Sequence, residues 1–214
     1  MSDTRRKLLD GTIATLRDRG IAGTSARVIA ASAAVNQALI FYHFGSVGDL
    51  IDAACREAAA DQVQSYRPRF RAAVSLGELL TLGQELHETQ RSAGNVTVLA
   101  QVLAGARHDP QLAATAKHAL TLWITEIEST LDRLMRDSPV AEVADIQGLA
   151  RAIAAAFIGL ELYEGVDPAG ARGAFAALQH LSVLTEILDD LPPAGRRALR
   201  GRIRRTSPGP AQPK

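Results

Sequence analysis

The chain has 214 residues, 47% hydrophobic and 22% charged, with a formal net charge of +1. This is the profile of an ordinary globular protein with a sizeable core, and it argues against a fibrous or disordered chain. A single cysteine, Cys55, excludes an internal disulfide framework and suits a reducing compartment.

Residues 1–20 mix charges among their apolar positions, so the core of a secretion signal is missing. The uncharged stretch from Ser92 to Ala106 is too short to span a bilayer. A cytoplasmic protein is expected. The charge is uneven: residues 1–50 carry six basic and four acidic side chains, residues 51–195 eleven and nineteen, and residues 196–214 seven and none. A mildly basic head, an acidic body and a basic tail imply different partners for different regions.

Apolar residues recur at helical spacing, with no convincing strand alternation, so the expected class is all-α. Leu9, Ile13 and Leu16 mark a first helix closed by Gly20. Thr24 or Ser25 caps a short second helix through Ala31. Val35 to Phe44 reads as a third. Ser46 and Asp49 make a capping-box-like start to a fourth, which should run toward Tyr66 and stop before Pro68.

Longer segments follow. Leu79, Leu82 and Leu86 suggest a fifth helix, and Val98, Leu99, Val102 and Leu103 a sixth. Asp109-Pro110 is a cap and first-turn pair for a seventh, with apolar positions at Leu112, Ala116, Leu120, Trp123, Ile127, Leu131 and Leu134. An eighth covers roughly Ile146 to Leu162, and a ninth Ala174 to Leu191. The expected organisation is a helix-turn-helix domain over 1–48, a larger helical bundle over 49–193 and a basic tail over 194–214. The tail, with Arg196, Arg197, Arg200, Arg202, Arg204 and Arg205, reads as a solvated end, with nonspecific DNA attraction as the alternative.

Residues 25–44 satisfy the sterics of a helix-turn-helix. Ala30 is small where the second helix would be crossed, Ala33-Ala34 supplies the turn, and Ile29, Val35 and Ile40 face the core. Asn36, Gln37, Ala38 and Tyr42 are left outward on a helix suited to the major groove. Amides suit adenine edges, and an alanine methyl suits a thymine methyl. Tyr42, His43 and the backbone near Thr24 and Ser25 suit phosphates. Any short amphipathic helix also has a polar face, so spacing alone leaves DNA binding open.

Here a resemblance adds information. Gly20, Thr24-Ser25, Ile29-Ala30, Val35, Ile40, His43-Phe44, Ser46 and Leu50 resemble, in order and spacing, the N-terminal domain of the tetracycline-repressor (TetR) family of bacterial transcription regulators. The resemblance covers about the first 55 residues. It implies a dimeric regulator that contacts DNA through Thr24, Ser25, Arg27, Asn36, Gln37, Ala38, Tyr42 and His43. Three positions depart from the family pattern. Ala34 stands where the turn usually has Gly, Phe41 where the recognition helix usually has Tyr, and Val47 where the fourth helix usually begins with Lys. The last two remove phosphate contacts, which weakens binding to all sequences and flattens its salt dependence. Arg5, Arg6, Lys7 and Arg27 are candidates to compensate.

The same resemblance implies a C-terminal bundle that dimerises and encloses a small-molecule pocket. The small stripe Ala152, Ala155 and Gly159, with Leu181, Leu184 and Leu188 on the ninth helix, suits a four-helix interface, though such stripes also pack within monomers. Tyr66, His87, Gln101, His118, Trp123 and Glu161 are the candidate pocket residues. The expected function is therefore a repressor that binds a near-palindromic duplex operator as a homodimer and is released by a small-molecule effector. The alternative is a ligand-binding or protein-interaction module of the same fold with weakened DNA binding. The five histidines form no i, i+4 metal pair, and no phosphate loop or nucleophile elbow is present, so neither an enzyme, a metal site nor a cofactor is expected.

Overall fold

Helical periodicity is realised as nine α-helices in a computed structural model, among described residues 3–136, 138, 145–189 and positions 192, 194, 195, 198 and 201. They are α1 (Asp3–Arg19), α2 (Ala26–Ser32), α3 (Ala38–Phe44), α4 (Val47–Ala72), α5 (Leu76–Ser92), α6 (Asn95–Gly105), α7 (Pro110–Met135), α8 (Ile146–Glu164) and α9 (Pro168–Asp189). No strand occurs among the described residues. The arginines of the basic tail lie outside them, as do the side chains of Leu181, Leu184 and Leu188.

Local chemistry accounts for most helix starts. The Ser25 side chain accepts from Val28 N at the head of α2. Ser46 Oγ accepts from Asp49 N at 3.0 Å and donates to Asp49 Oδ2 at 2.6 Å, opening α4. Asp109 Oδ1 accepts from Gln111 N at 2.8 Å at the start of α7, and the Asp145 side chain accepts from Gly148 N at the start of α8. Each satisfies a backbone N–H that a helix's first turn otherwise leaves unpaired.

Three expected boundaries move. The ninth helix begins at Pro168, where Asp167 Oδ1 accepts from Gly170 N at 2.9 Å, and not at Ala174. The third helix begins at Ala38, not Val35. Ala34 adopts φ 52°, which breaks the helical path, and Asn36 Oδ1 accepts from Ala38 N at 2.8 Å, restarting the helix two residues later. The fourth helix does not stop before Pro68 but continues to Ala72 with the proline inside it. An interior proline costs about 3 kcal/mol through its lost N–H and ring clash. The turn beyond it is held by burial of Phe70 and Ala73, and by Arg133 Nη2, which donates to the Phe70 carbonyl at 3.0 Å.

By its internal contacts the chain divides into two units, Met1–Arg67 with Leu86–Trp123, and Pro68–Glu85 with Ile124–Lys214. In the first unit, Leu8, Leu9, Ala26, Ile29, Ala30, Ala33, Ile40, Leu50 and Ala54 form one core. Gly11 lets α1 approach the turn after α2, since a Cβ there would meet the Ala33 side chain at 2.8 Å. A second cluster, Leu16, Ile51, Cys55, Val102 and Ala116, joins α1, α4, α6 and α7. In the second unit α8 packs on α9, with Ala150, Ala154 and Ala171 buried. By length and composition α8 is apolar enough to cross a membrane, although Arg151 interrupts its apolar run.

Candidate nucleic-acid interface

Burial of one residue orients the short helix α3. Ile40 is fully enclosed and Leu39 packs against the same core, which turns the opposite face outward. Asn36, Gln37 and Ala38 are exposed at its N-terminal end. Tyr42 is 81% exposed and Phe41 49%. Two large aromatic side chains left in water on seven residues of helix forgo about 1.5–3 kcal/mol each of burial, so packing does not explain them. Tyr42 meets His43 edge-on at 5.0 Å between ring centroids, and His43 meets Phe44 at 6.4 Å.

The rest of the expected DNA-contacting set lies at the start of α2. Ser25 and Arg27 are exposed, and Thr24 Oγ1 donates to the Gly20 carbonyl at 2.6 Å. Asn36 is partly committed: its side-chain oxygen caps Ala38 N, which turns its NH₂ donors outward. Gln37 makes no side-chain cap and keeps both its amide groups.

The three candidates to compensate on α1 are each paired with a carboxylate. Arg5 pairs with Glu57 at 3.1 Å, Arg6 with Asp10 at 3.0 Å, Glu57 at 3.3 Å and Asp61 at 3.2 Å, and Lys7 with Asp3 at 2.5 Å. Val47 packs against both cores of the first unit, so the position has exchanged a cation for apolar contact.

Of the candidate pocket residues in the first unit, Tyr66 and Trp123 come together, with ring centroids 6.1 Å apart. His87 is buried and His118 is exposed. Gln101 has a structural task that its sequence position did not reveal. Its Oε1 accepts from Ile21 N at 2.7 Å, closing the end of α1. Arg17 supports the same junction by donating to Asn95 Oδ1 at 2.6 Å. Between α7 and α4, Gln111 donates to Asp49 Oδ1 at 3.0 Å and Thr115 donates to Asp52. In the second unit, Glu161 is buried on α8. Ala152, Ala155 and Gly159 are exposed on that helix, flanked by exposed Leu149, Leu162, Tyr163 and Val166.

These features define a helix-turn-helix protein whose recognition helix is anchored by Ile40 and presents amide, methyl and aromatic groups. Residues 8–54 match the model of the bacterial regulatory proteins, tetR family. The fold is shared with a protein described as a TetR-family transcriptional regulator from Rhodococcus sp. (21% identity, TM-score 0.72, 86% of this chain and 99% of that one). It is shared too with the fatty acid degradation regulator FadR from Bacillus halodurans (12%, 0.71, 85% and 95%). The multidrug binding protein EbrR, in complex with imidazole, is 26% identical with a TM-score of 0.58, over 83% of this chain and 96% of that one. No protein of curated function matches the chain in sequence. The family match covers the helix-turn-helix and the start of α4, and for the rest of the chain these structures show a shared helical fold.

Proposed function

We propose that the protein is a cytoplasmic, non-enzymatic repressor that binds a near-palindromic operator as a homodimer and is released by a small-molecule effector. The observation that carries this reading is the exposed edge of α3, where Asn36, Gln37, Ala38 and Tyr42 project while Ile40 anchors the helix. Gln37 suits an adenine edge, Ala38 a thymine methyl, and Tyr42, His43, Thr24, Ser25 and Arg27 the flanking phosphates.

A second copy would cover the exposed stripe of α8. Contiguous apolar surface of this kind marks an interaction site, and Gly159, whose added Cβ would meet nothing within 4 Å, leaves room for a partner helix. The Tyr66–Trp123 pair, with His87 on the same unit, is the proposed wall of the effector pocket. Neighbours of the same fold include a fatty acid degradation regulator and a multidrug binding protein, in keeping with an apolar effector. Effector binding would favour a dimer whose recognition helices miss the half-site spacing of about 34–36 Å, with α4 as the lever. Operator and effector affinities would then be reciprocally coupled.

Val47 favours a second reading, a ligand-binding module with weakened DNA affinity, because its side chain serves the core in place of a phosphate contact. Fluorescence anisotropy against duplexes from the gene's own upstream region and a random duplex library, at two salt concentrations, separates the two. Tight binding to one near-palindromic sequence that survives the higher salt supports the repressor. Weak, sequence-blind binding to every duplex supports the module.

A further inference from the structure

Arg5, Arg6 and Lys7 are three consecutive cations at the start of α1. Each is met by a carboxylate of the same chain, and the first two share partners on α4. Arg5 Nη1 donates to Glu57 Oε2 at 3.1 Å, and Arg6 Nη1 to Glu57 Oε1 at 3.3 Å and Asp61 Oδ2 at 3.2 Å. Arg6 Nε also donates to Asp10 Oδ1 at 3.0 Å; this bond, foremost, raises the Arg6 pKa. The Arg5 guanidinium lies 5.4 Å from the centroid of the Phe44 ring, the last residue of α3, so the cluster adjoins the recognition helix.

These pairs are not sequestered. Side-chain exposures are 33% for Arg5, 49% for Arg6, 25% for Glu57 and 57% for Asp61. An ion pair this wet holds a guanidinium weakly enough to exchange it for another anion. The polyanion expected beside α3 is the DNA backbone, whose phosphates are the bidentate acceptors a guanidinium prefers.

We propose that Glu57 and Asp61 act as internal competitors for DNA phosphate, holding Arg5 and Arg6 in reserve. Operator affinity and its salt dependence are thereby kept below what the basic residues of α1 would otherwise confer. The inference rests on the DNA-binding reading above. It differs from a purely structural role, in which the pairs only fasten α1 to α4 and the arginines are never available to DNA.

A cycle of four full-length proteins tests it: wild type, Arg5→Gln/Arg6→Gln, Glu57→Gln/Asp61→Asn, and the quadruple variant. Each is titrated against one duplex across a salt series. Every arginine moved onto a phosphate should steepen the slope of log K against log[salt] by roughly 0.9. The arginine variant should match wild type. The carboxylate variant should bind more tightly, with a slope steeper by about 2. Removing the arginines in that background should restore the wild-type slope.

Loss of two negative charges alone also raises affinity, but that gain persists in the quadruple variant, and its persistence overturns the proposal. So does a shallower slope for the arginine variant in the wild-type background, which means the arginines already hold phosphates. Should Glu57→Gln/Asp61→Asn fail to fold, Asp61→Asn alone, at the more exposed carboxylate, should steepen the slope by about 1. An unchanged slope there overturns the idea equally. If wild type shows no salt-dependent binding to any duplex, the DNA-binding reading fails first, and this inference with it.

Discussion

Ala34 has φ 52° in the turn of the helix-turn-helix, a positive value otherwise taken among the described residues by Gly20, Gly45 and Gly94. An L-residue there costs roughly 1–2 kcal/mol relative to right-handed backbone. Ala34→Gly removes that cost but frees the unfolded chain, which returns about 0.4–1 kcal/mol. The side chain is exposed, so no cavity enters the balance. The expected net stabilisation is about 0.5–1 kcal/mol, or roughly 1–4 °C in Tm for a chain of this size. Gly45→Ala is the mirror experiment. With φ 80° and the nearest atom, Asp49 Oδ2, 3.8 Å from an added Cβ, the substitution meets strain without a clash. It should destabilise by a similar amount. Urea and thermal unfolding followed by circular dichroism, at one fixed protein concentration, measure both. A neutral or destabilising Ala34→Gly beside a costly Gly45→Ala would refute the reasoning, because the alanine would then be contributing something the turn geometry does not contain.

Three further outcomes are expected. Gln101→Leu leaves the part-buried Ile21 N–H without its acceptor and should cost about 1–3 kcal/mol in urea unfolding, while Gln101→Glu, which keeps an oxygen there, should recover most of it. Burial, with a smaller contribution from Asp52, pushes the Cys55 thiol up from 9.0 to about 11. The native thiol should therefore react with a disulfide reagent at pH 8 about a hundredfold more slowly than the unfolded one. Because the folded value lies above the unfolded one, this group's contribution to stability is complete below about pH 9 and lost as pH rises through 11. Ala155→Glu places a charge on the exposed stripe of α8 and should convert a dimer to monomer in sedimentation, with helix content unchanged; an undisturbed dimer would move the interface elsewhere.

What was legible in the sequence followed the range of the interaction that determined it. The caps at Ser25, Ser46 with Asp49, and Asp109 act within three residues, and their helices begin beside them. Ile29 and Ile40 were legible as core because their spacing around a tight turn leaves them only one face. Pro68 was misread because a local rule lost to distant packing: Arg133, far along the chain, secures the turn beyond it. The start of α3 was misread although the glycine usual at position 34 pointed to a positive φ there, because the Asn36 side chain that restarts the helix at Ala38 was read only as a reading-edge group. Gln101 was invisible as a cap because its partner, Ile21, is 80 residues away. The ion pairs of Arg6 with Glu57 and Asp61 bridge 51 and 55 residues, so a count of basic side chains could not tell an open cation from an occupied one.

The departures around α3 act in one direction. Val47 packs into the core where the resembling family has Lys, Phe41 lacks a hydroxyl, and Arg5 and Arg6 face carboxylates. On the repressor reading proposed above, each change would weaken the grip on the DNA backbone while Asn36, Gln37, Ala38 and Tyr42 stay exposed. Nonspecific binding is almost wholly electrostatic, whereas base-edge contacts are worth about 1–3 kcal/mol each whatever the salt. Lowering the electrostatic share therefore lowers both affinities by about the same factor and leaves the ratio between them to the base contacts. A regulator built this way should show modest absolute affinity, a shallow salt slope for both duplexes, and a ratio set by the edge of α3. Replacing Val47 by Lys tests the argument. It should raise affinity for operator and random duplex alike and steepen both slopes by roughly 0.9, leaving the ratio between the two nearly unchanged. A gain confined to the operator would mean that this end of α4 helps to read sequence, and the separation between grip and reading edge would have to be abandoned.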